Sequence, residues 1–76
     1  MKQYDHTGIG GPVRAESANH AAEILSRREF GRRGRVGALR LDSWASNGTS
    51  ATWQAFIGRP EVGGSTTGHN IWIYVS

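Results

Sequence analysis

The sequence predicts an α+β fold with the order β-α-β-β-β, in which one helix packs on one face of an antiparallel sheet. Three observations lead to this prediction. Small and apolar residues recur with helical spacing over 17–30. The pair Asn47-Gly48, the strongest short hairpin signal, separates two runs of strand-forming residues within 35–58. Apolar residues alternate in a final run at 69–76, which is typical of a half-buried strand.

The composition indicates one small domain, 1–76, with a single thin core. A chain of this size buries roughly 60% of its unfolded surface, which leaves little room for a deep pocket. The chain contains no cysteine, so we expect no disulfide, no thiolate metal site and an intracellular protein. It has no apolar run near the roughly 18 residues of a membrane span, and no signal-peptide pattern. These features predict a soluble cytoplasmic protein that does not interact with a membrane.

The N-terminal segment 1–7 is predicted to form a short strand with Tyr4 on one face. The following segment, GIGGP at 8–12, contains Gly-x-Gly-Gly. No Lys-Ser or Lys-Thr follows it, so a flexible connection is favoured over a phosphate-binding loop.

The helix is predicted to begin after an N-cap at Ser17 and to run to about Phe30. One apolar stripe follows from the spacing i, i+3, i+4 and i+7 of Ala18, Ala21, Ala22 and Leu25, with Ile24 beside it. Small alanines allow the helix to lie close to a sheet. Gly31 and Gly34 are expected to end it.

The central hairpin admits two registers. A two-residue turn at Asn47-Gly48 pairs Trp44 with Ala51, Asp42 with Trp53 and Arg40 with Ala55. Leu39, Leu41 and Phe56 then share one face, and Trp53 lies on the other with Arg40, Trp44 and Ile57. A bulge or a longer loop instead puts Trp53, Ala55 and Ile57 on the core face with Leu39 and Leu41. The sequence leaves both registers open.

The last quarter of the chain is predicted to form a loop and a strand. Residues 59–68 contain Pro60 and Gly63-Gly64 and indicate a mobile loop. Residues 69–76 predict a strand in which Ile71, Ile73 and Val75 face one way while Trp72 and Tyr74 face the other.

Positive charge is concentrated in one segment. The net charge is +3, yet six arginines within 27–40 are opposed there only by Glu29. Arginine binds phosphate and carboxylate bidentately and stacks on aromatic rings. A solvated helix end that complements the helix dipole is one interpretation. The favoured one is a surface for a polyanion or an acidic partner, made of Arg27, Arg28, Arg32, Arg33, Arg35 and Arg40.

The aromatic residues suggest binding, whereas the histidines do not suggest catalysis. Trp44, Trp53, Trp72 and Tyr74 together exceed what so small a core comfortably holds. Trp53, Trp72 and Tyr74 are therefore candidate anchors for a protein interface or for stacked bases. They could equally cover the edge of the core or a dimer contact. His6, His20 and His69 are isolated and match no catalytic or metal-binding spacing. We expect no catalytic residue, no metal site and no cofactor.

The segment SANHAAEILSRREFGRRGRVGALRL, followed by an aromatic hairpin, resembles the helix-then-sheet arrangement of small phage-encoded anti-CRISPR proteins. Ser17, Ala21, Ile24, Ser26 and Phe30 are similar to the helix of one type I inhibitor. The resemblance covers about a third of the chain. It implies a phage or mobile-element protein that binds a CRISPR-Cas effector complex in the host cytoplasm and blocks its function by interfering with DNA binding.

Two other functions remain open at this point. A small basic nucleic-acid-binding domain would place arginines on phosphates and aromatic side chains on bases. An assembly protein would complete its sheet across a dimer, because both ends of so short a chain are expected to form edge strands. The sequence is therefore consistent with either a monomer or a homodimer, and an enzyme is the least favoured class.

Overall fold

The computed structural model describes the backbone of residues 1–44 and 50–75, and the side chains of 1–42 and 50–75. The predicted Asn47-Gly48 turn lies outside the described residues. In order along the chain, the elements are β1 (Lys2–His6), β2 (Val13–Ala15), α1 (Ala18–Phe30), a 3-10 turn (Gly31–Arg33), β3 (Arg35–Trp44), β4 (Ala51–Pro60) and β5 (Thr66–Val75).

The five strands form one antiparallel sheet with the order β2-β1-β5-β4-β3. α1 packs against β2, β3 and β4 on one face of it. The predicted α+β class is therefore confirmed, with the order β-β-α-β-β-β. The additional strand β2 was not predicted, because it has only three residues and depends on pairing with Lys2, Gln3 and Tyr4 of β1.

The helix matches its prediction closely. The Ser17 hydroxyl accepts a hydrogen bond from the backbone N–H of His20, which satisfies one of the free donors of the first turn. The alanine stripe and Leu25 are buried, and Ile24 packs at the edge of the core. Gly31 ends the helix at a positive φ of 73°, and its N–H donates to the carbonyl of Arg27.

The hairpin adopts the bulged register. Trp44 pairs with Ala51, as predicted for the two-residue turn, but a shift between Leu41 and Ser43 leaves Asp42 as an extra residue. Beyond it Leu41 pairs with Trp53, and Leu39 with Ala55. The unbulged pairings of Asp42 with Trp53 and Arg40 with Ala55 are therefore wrong. A single extra residue moves the side chains beyond it to the opposite face, here as far as a second register shift between Val36 and Ala38.

Half of the loop predicted at 59–68 is strand. β4 continues to Pro60 and β5 begins at Thr66, so that only 61–65 connect them. Gly63 and Gly64 have φ of 96° and 90°, which allows the chain to reverse, and the N–H of Glu61 donates to the carbonyl of Ser65. The sequence signal of the glycines is correct for the turn, but β-forming Thr66 and Thr67 extend the pairing beyond it.

The core lies between α1 and one face of the sheet. Its largest fully buried apolar side chains are Leu25 of α1, Val13 of β2, and Ile57, Ile71 and Ile73 of the central strands. Gly34 lets β3 approach the helix, since a Cβ at Gly34 would lie 2.4 Å from the carbonyl oxygen of Ser26. Within the part of the chain that the structure describes, no helix is long and apolar enough to cross a membrane.

Candidate functional site

The sheet face opposite α1 carries the large aromatic and polar side chains. Residues that alternate with the buried Ala55, Ile71 and Ile73 point away from the helix. We call this surface the outer face and define it by Arg40, Gln54, Phe56, Trp72 and Tyr74. Among the described elements, α1 covers the other face only, so these side chains form an uncovered surface.

One row of the outer face crosses three strands. Arg40 of β3 pairs with Gln54 of β4, which in turn pairs with Trp72 of β5. The Arg40 guanidinium donates a hydrogen bond of 2.9 Å to the side-chain oxygen of Gln54. This contact holds the cation one strand away from the Trp72 ring. The row therefore combines a positioned arginine with a large flat ring.

Tyr74 continues the aromatic surface on the same strand. It lies two residues beyond Trp72, opposite Thr52, and is 38% exposed, whereas Trp72 is half-buried. Asp5 of β1 pairs with Tyr74 on its other side. The two rings thus occupy adjacent outward positions of β5.

Phe56 occupies the end of the outer face that is rich in glycine. A Cβ built at Gly37, Gly58 or Gly68 would come within 2.8–3.0 Å of the Phe56 ring. The ring therefore lies across all three glycines, one on each of the strands β3, β4 and β5. A flat ring over residues without side chains shields their backbone from water. Phe56 is accordingly half-buried although nothing described lies above it.

Trp53, which the sequence places among the candidate anchors, does not belong to the outer face. It packs against the core and meets Tyr4 edge-to-face, with ring centroids 6.0 Å apart and planes at 64°. The bulge at Asp42 is the cause, because it turns Trp53 to the side of Leu39 and Ala55. Burial also raises the pKa of the Tyr4 hydroxyl.

The five arginines at 27–35 surround the junction of α1 and β3, a surface we call the arginine end. Arg27 and Arg28 lie in the last turn of α1, Arg32 and Arg33 in the 3-10 turn, and Arg35 begins β3. Arg40 is separated from them on the outer face. The cluster of the sequence thus divides into two surfaces.

Arg28 of the arginine end fastens the segment 8–12 to the helix. Arg28 donates to the carbonyls of Gly11 at 2.6 Å and Ile9 at 3.4 Å. His6 also contacts the Gly11 carbonyl, at 2.7 Å, and its other ring nitrogen accepts from the N–H of Gly8. The 8–12 segment, expected to be a flexible connection, is therefore held by two side chains.

Arg27, Arg33 and Arg35 make longer or local contacts. Arg27 lies 4.0 Å from Glu23 and is 60% exposed. Arg33 donates to the carbonyl of Pro60 at 3.5 Å, and Arg35 to that of Gly34 at 3.0 Å. These contacts use few of the guanidinium donors, and Arg27, Arg33 and Arg35 are all exposed.

His69 joins the last strand to the helix. Its Nε2 lies 2.6 Å from a carboxylate oxygen of Glu29, and this hydrogen bond is the main reason that the pKa of His69 is raised. A glutamate–histidine contact across 40 positions has no sequence signal. Over the described residues, no three His, Asp or Glu side chains form a group that could hold a metal ion.

Comparison with known proteins does not supply a family: no protein-family model, curated protein or solved structure matches the chain. The class of protein must therefore be argued from the two surfaces themselves. Sequence reasoning missed Gln54 and Phe56 as members of the outer face, and only the bulged register, weighed as an alternative, indicates where they lie.

Proposed function

We propose that this protein is a non-enzymatic binding protein that docks on a macromolecular partner through its outer face. The observation that carries the proposal is the uncovered row of Arg40, Gln54 and Trp72 with Tyr74 beside it. Trp, Tyr and Arg are the residues that most often dominate binding energy at protein interfaces. A domain this small gains stability from the face under its helix, whereas aromatic side chains on the other face are available to a partner.

For the partner we propose a CRISPR-Cas effector complex, in line with the resemblance of the segment 17–41 to small phage anti-CRISPR proteins. The protein would then be a phage or mobile-element inhibitor that acts stoichiometrically in the host cytoplasm and blocks DNA binding. Its net charge of +3 argues against mimicry of DNA. The arginines would steer association with an acidic patch of the effector, and the aromatic side chains would supply the desolvated contacts.

The test measures binding of a fluorescent target DNA by purified type I effector complexes in the presence of increasing amounts of this protein. We expect inhibition that is complete at about one protein per effector and survives nuclease treatment of the protein sample. Trp72→Thr with Tyr74→Thr should abolish it, because threonine keeps strand propensity while it removes both rings.

Val62→Thr is the matched control, since Val62 is an apolar side chain that is 96% exposed on the turn between β4 and β5. It should inhibit as the wild type does. Equal inhibition by the outer-face variant and the wild type would refute the outer face as the docking surface. Absence of inhibition across the effector panel would refute the partner.

A second candidate function is direct binding of single-stranded nucleic acid, and the Arg40–Gln54–Trp72 row specifically favours it. Stacking of a base on an aromatic side chain contributes roughly 1–3 kcal/mol. Arg40 lies beside the rings, where a phosphate of the same strand would pass.

Fluorescence anisotropy with oligo-dT and oligo-rU at several salt concentrations tests this second function. Binding should weaken steeply with salt, because each contacted phosphate releases counterions. Arg40→Gln should weaken it more than Arg14→Gln, which removes the same charge at the opposite edge of the sheet, on β2. Equal effects of the two variants would indicate unspecific attraction, and no binding at low salt would exclude this function.

A further inference from the structure

The arginine end contains a cleft that is separate from the outer face. It has a volume of about 280 Å³ and lies between the last turns of α1 and the start of β3, lined by Glu23, Ser26, Arg27, Gly34, Arg35 and Val36. Pockets for drug-sized ligands measure roughly 300–1,000 Å³. The cleft therefore lies at the small end of this range, and one small ionic group would occupy only part of it.

The charge around this cleft is only partly compensated. Glu29 is engaged by His69 at 2.6 Å, and Glu61 by Arg59 at 2.9 Å. Glu23 is the one carboxylate in the lining, and it lies 4.0 Å from Arg27, a long ion pair. Within the described part of the chain, no carboxylate comes within ion-pair distance of Arg35. The residues that line the cleft thus include two arginines and one carboxylate, Glu23, which accepts a hydrogen bond of 3.1 Å from the side chain of Asn19.

Arg35 is oriented without being neutralised. Its Nη1 donates to the carbonyls of Gly34 at 3.0 Å and Arg32 at 3.4 Å. A guanidinium has five N–H donors, so Nε and Nη2 of Arg35 remain for a ligand. Backbone contacts that hold the side chain also reduce the entropy that a ligand must overcome to order it.

We propose that this cleft binds one phosphate group between Arg27 and Arg35. Guanidinium groups bind phosphate bidentately. The oxygens of a tetrahedral phosphate can accept two hydrogen bonds from the Arg27 guanidinium on the helix and two from the Arg35 guanidinium on the strand. A planar carboxylate can accept only one such pair. Arg27 is exposed enough to turn from its long contact with Glu23 towards the anion. The site does not depend on the partner proposed for the outer face, because its lining residues belong to α1 and the start of β3.

The phosphate could be inorganic phosphate or a phosphodiester of a nucleic-acid strand. The first experiment follows the backbone amides and the Arg Nε–H signals of the ¹⁵N-labelled protein by NMR, during titration with inorganic phosphate at constant ionic strength. We expect saturable shifts at Gly34, at Val36 and at Nε of Arg35. Shifts that grow linearly without saturation would overturn the site, as would acetate binding as tightly as phosphate.

Matched variants distinguish a specific phosphate site from general electrostatic attraction. Arg35→Gln should weaken phosphate binding at least tenfold, and Arg27→Gln should weaken it severalfold. Arg14→Gln removes the same charge from β2 and should leave the affinity unchanged. Arg35 contacts only exposed or partly buried carbonyls, so its replacement should preserve the amide spectrum; if it does not, Arg27→Gln carries the test. Equal weakening by Arg14→Gln and Arg27→Gln would overturn the proposal.

A competition experiment then distinguishes the two sources. If a short oligo-dT displaces inorganic phosphate from Gly34 and Val36, the site accepts a phosphodiester. If it does not, the site is one for free phosphate, and both results support a phosphate site. Trp72→Thr with Tyr74→Thr should leave the phosphate titration unchanged, so failure of the outer-face proposal can be distinguished from failure of this one.

Discussion

The two faces of the sheet are built from the same strands but use apolar side chains differently. On β5, Ile71 and Ile73 are 1% and 0% exposed beneath α1, whereas Trp72 is half-buried and Tyr74 is 38% exposed on the outer face. On the covered face, β5 contributes branched aliphatic side chains that pack in one core with the helix alanines. The outer face uses flat rings with polar groups between them.

If the outer face is the docking surface, as proposed, this difference separates stability from binding. A fully buried branched aliphatic side chain contributes roughly 1.5–3 kcal/mol by its removal from water. A ring on an uncovered face contributes less until a partner covers it. Variants of the covered face should therefore change the free energy of unfolding, and variants of the outer face should mainly change affinity.

The largest expected effect comes from neighbouring residues of β5. Ile73→Ala should lower the free energy of unfolding by about 3 kcal/mol, because it leaves a cavity under α1. Tyr74→Ala should lower it by about 1 kcal/mol or less, through lost strand propensity. Urea unfolding followed by tryptophan fluorescence gives both values. Similar losses in the two variants would mean that the outer face is as much a part of the core as the covered one.

Gly34→Ala tests how closely the covered face holds the helix. A Cβ at this position would lie 2.4 Å from the Ser26 carbonyl oxygen and 2.6 Å from its carbon, so the helix and β3 must separate. We expect a loss of about 2 kcal/mol, typical of overpacking. Gly11→Ala is the control, since nothing lies within 4 Å of a Cβ there. Equal urea midpoints for the Gly34 variant and the wild type would contradict the close approach.

Phe56→Ala tests whether one outer-face ring has a stabilising role. Its ring lies over Gly37, Gly58 and Gly68 and shields their backbone. Replacing a fully buried Phe by Ala lowers the free energy of unfolding by roughly 3–5 kcal/mol. For the half-buried Phe56 ring we expect a loss of about 1.5 kcal/mol. The unfolding free energy relative to Tyr74→Ala measures it. A loss no greater than that of Tyr74→Ala would show that all outer-face rings behave alike.

The smallest effect concerns the contact between His69 and Glu29 at the edge of the covered face. The folded pKa of His69 lies above its unfolded value, chiefly through this hydrogen bond, so the contribution is fully present below about pH 6.5 and is lost as pH rises through the folded pKa. The exposed pair should contribute roughly 0.2–1 kcal/mol. Wild type should therefore exceed Glu29→Gln in stability at pH 5.5, with the difference shrinking by pH 9. If the difference in stability between wild type and Glu29→Gln does not depend on pH, the predicted role of His69 titration is refuted.

Local patterns account for the parts that the sequence predicted well. The helix needs only a hydroxyl at Ser17, a spacing of small residues and a glycine at 31, all within one segment, and each is found in its expected role. The alternation of Ile71, Trp72, Ile73 and Tyr74 is equally local. The outward positions of Trp72 and Tyr74 were predicted for the same reason.

The parts that could not be predicted depend on distant contacts. The three-residue β2 exists because β1 is beside it, and the 8–12 segment is held by Arg28 from 17 residues away. The contact of His69 with Glu29 joins residues 40 apart. No local pattern specifies such pairs, because each requires two elements to be packed first.

Residue order alone determined that a capped helix would cover one side of a strand-rich chain, since both caps and alternation act over a few residues. Only the tertiary structure decided which face each hairpin residue occupies. The bulge at Asp42 puts Trp53 against Tyr4 and leaves Arg40 beside Gln54 and Trp72. The physical reason is the two-residue period of a strand, in which one extra residue exchanges the faces of everything beyond it, and burial against the helix selects between the results.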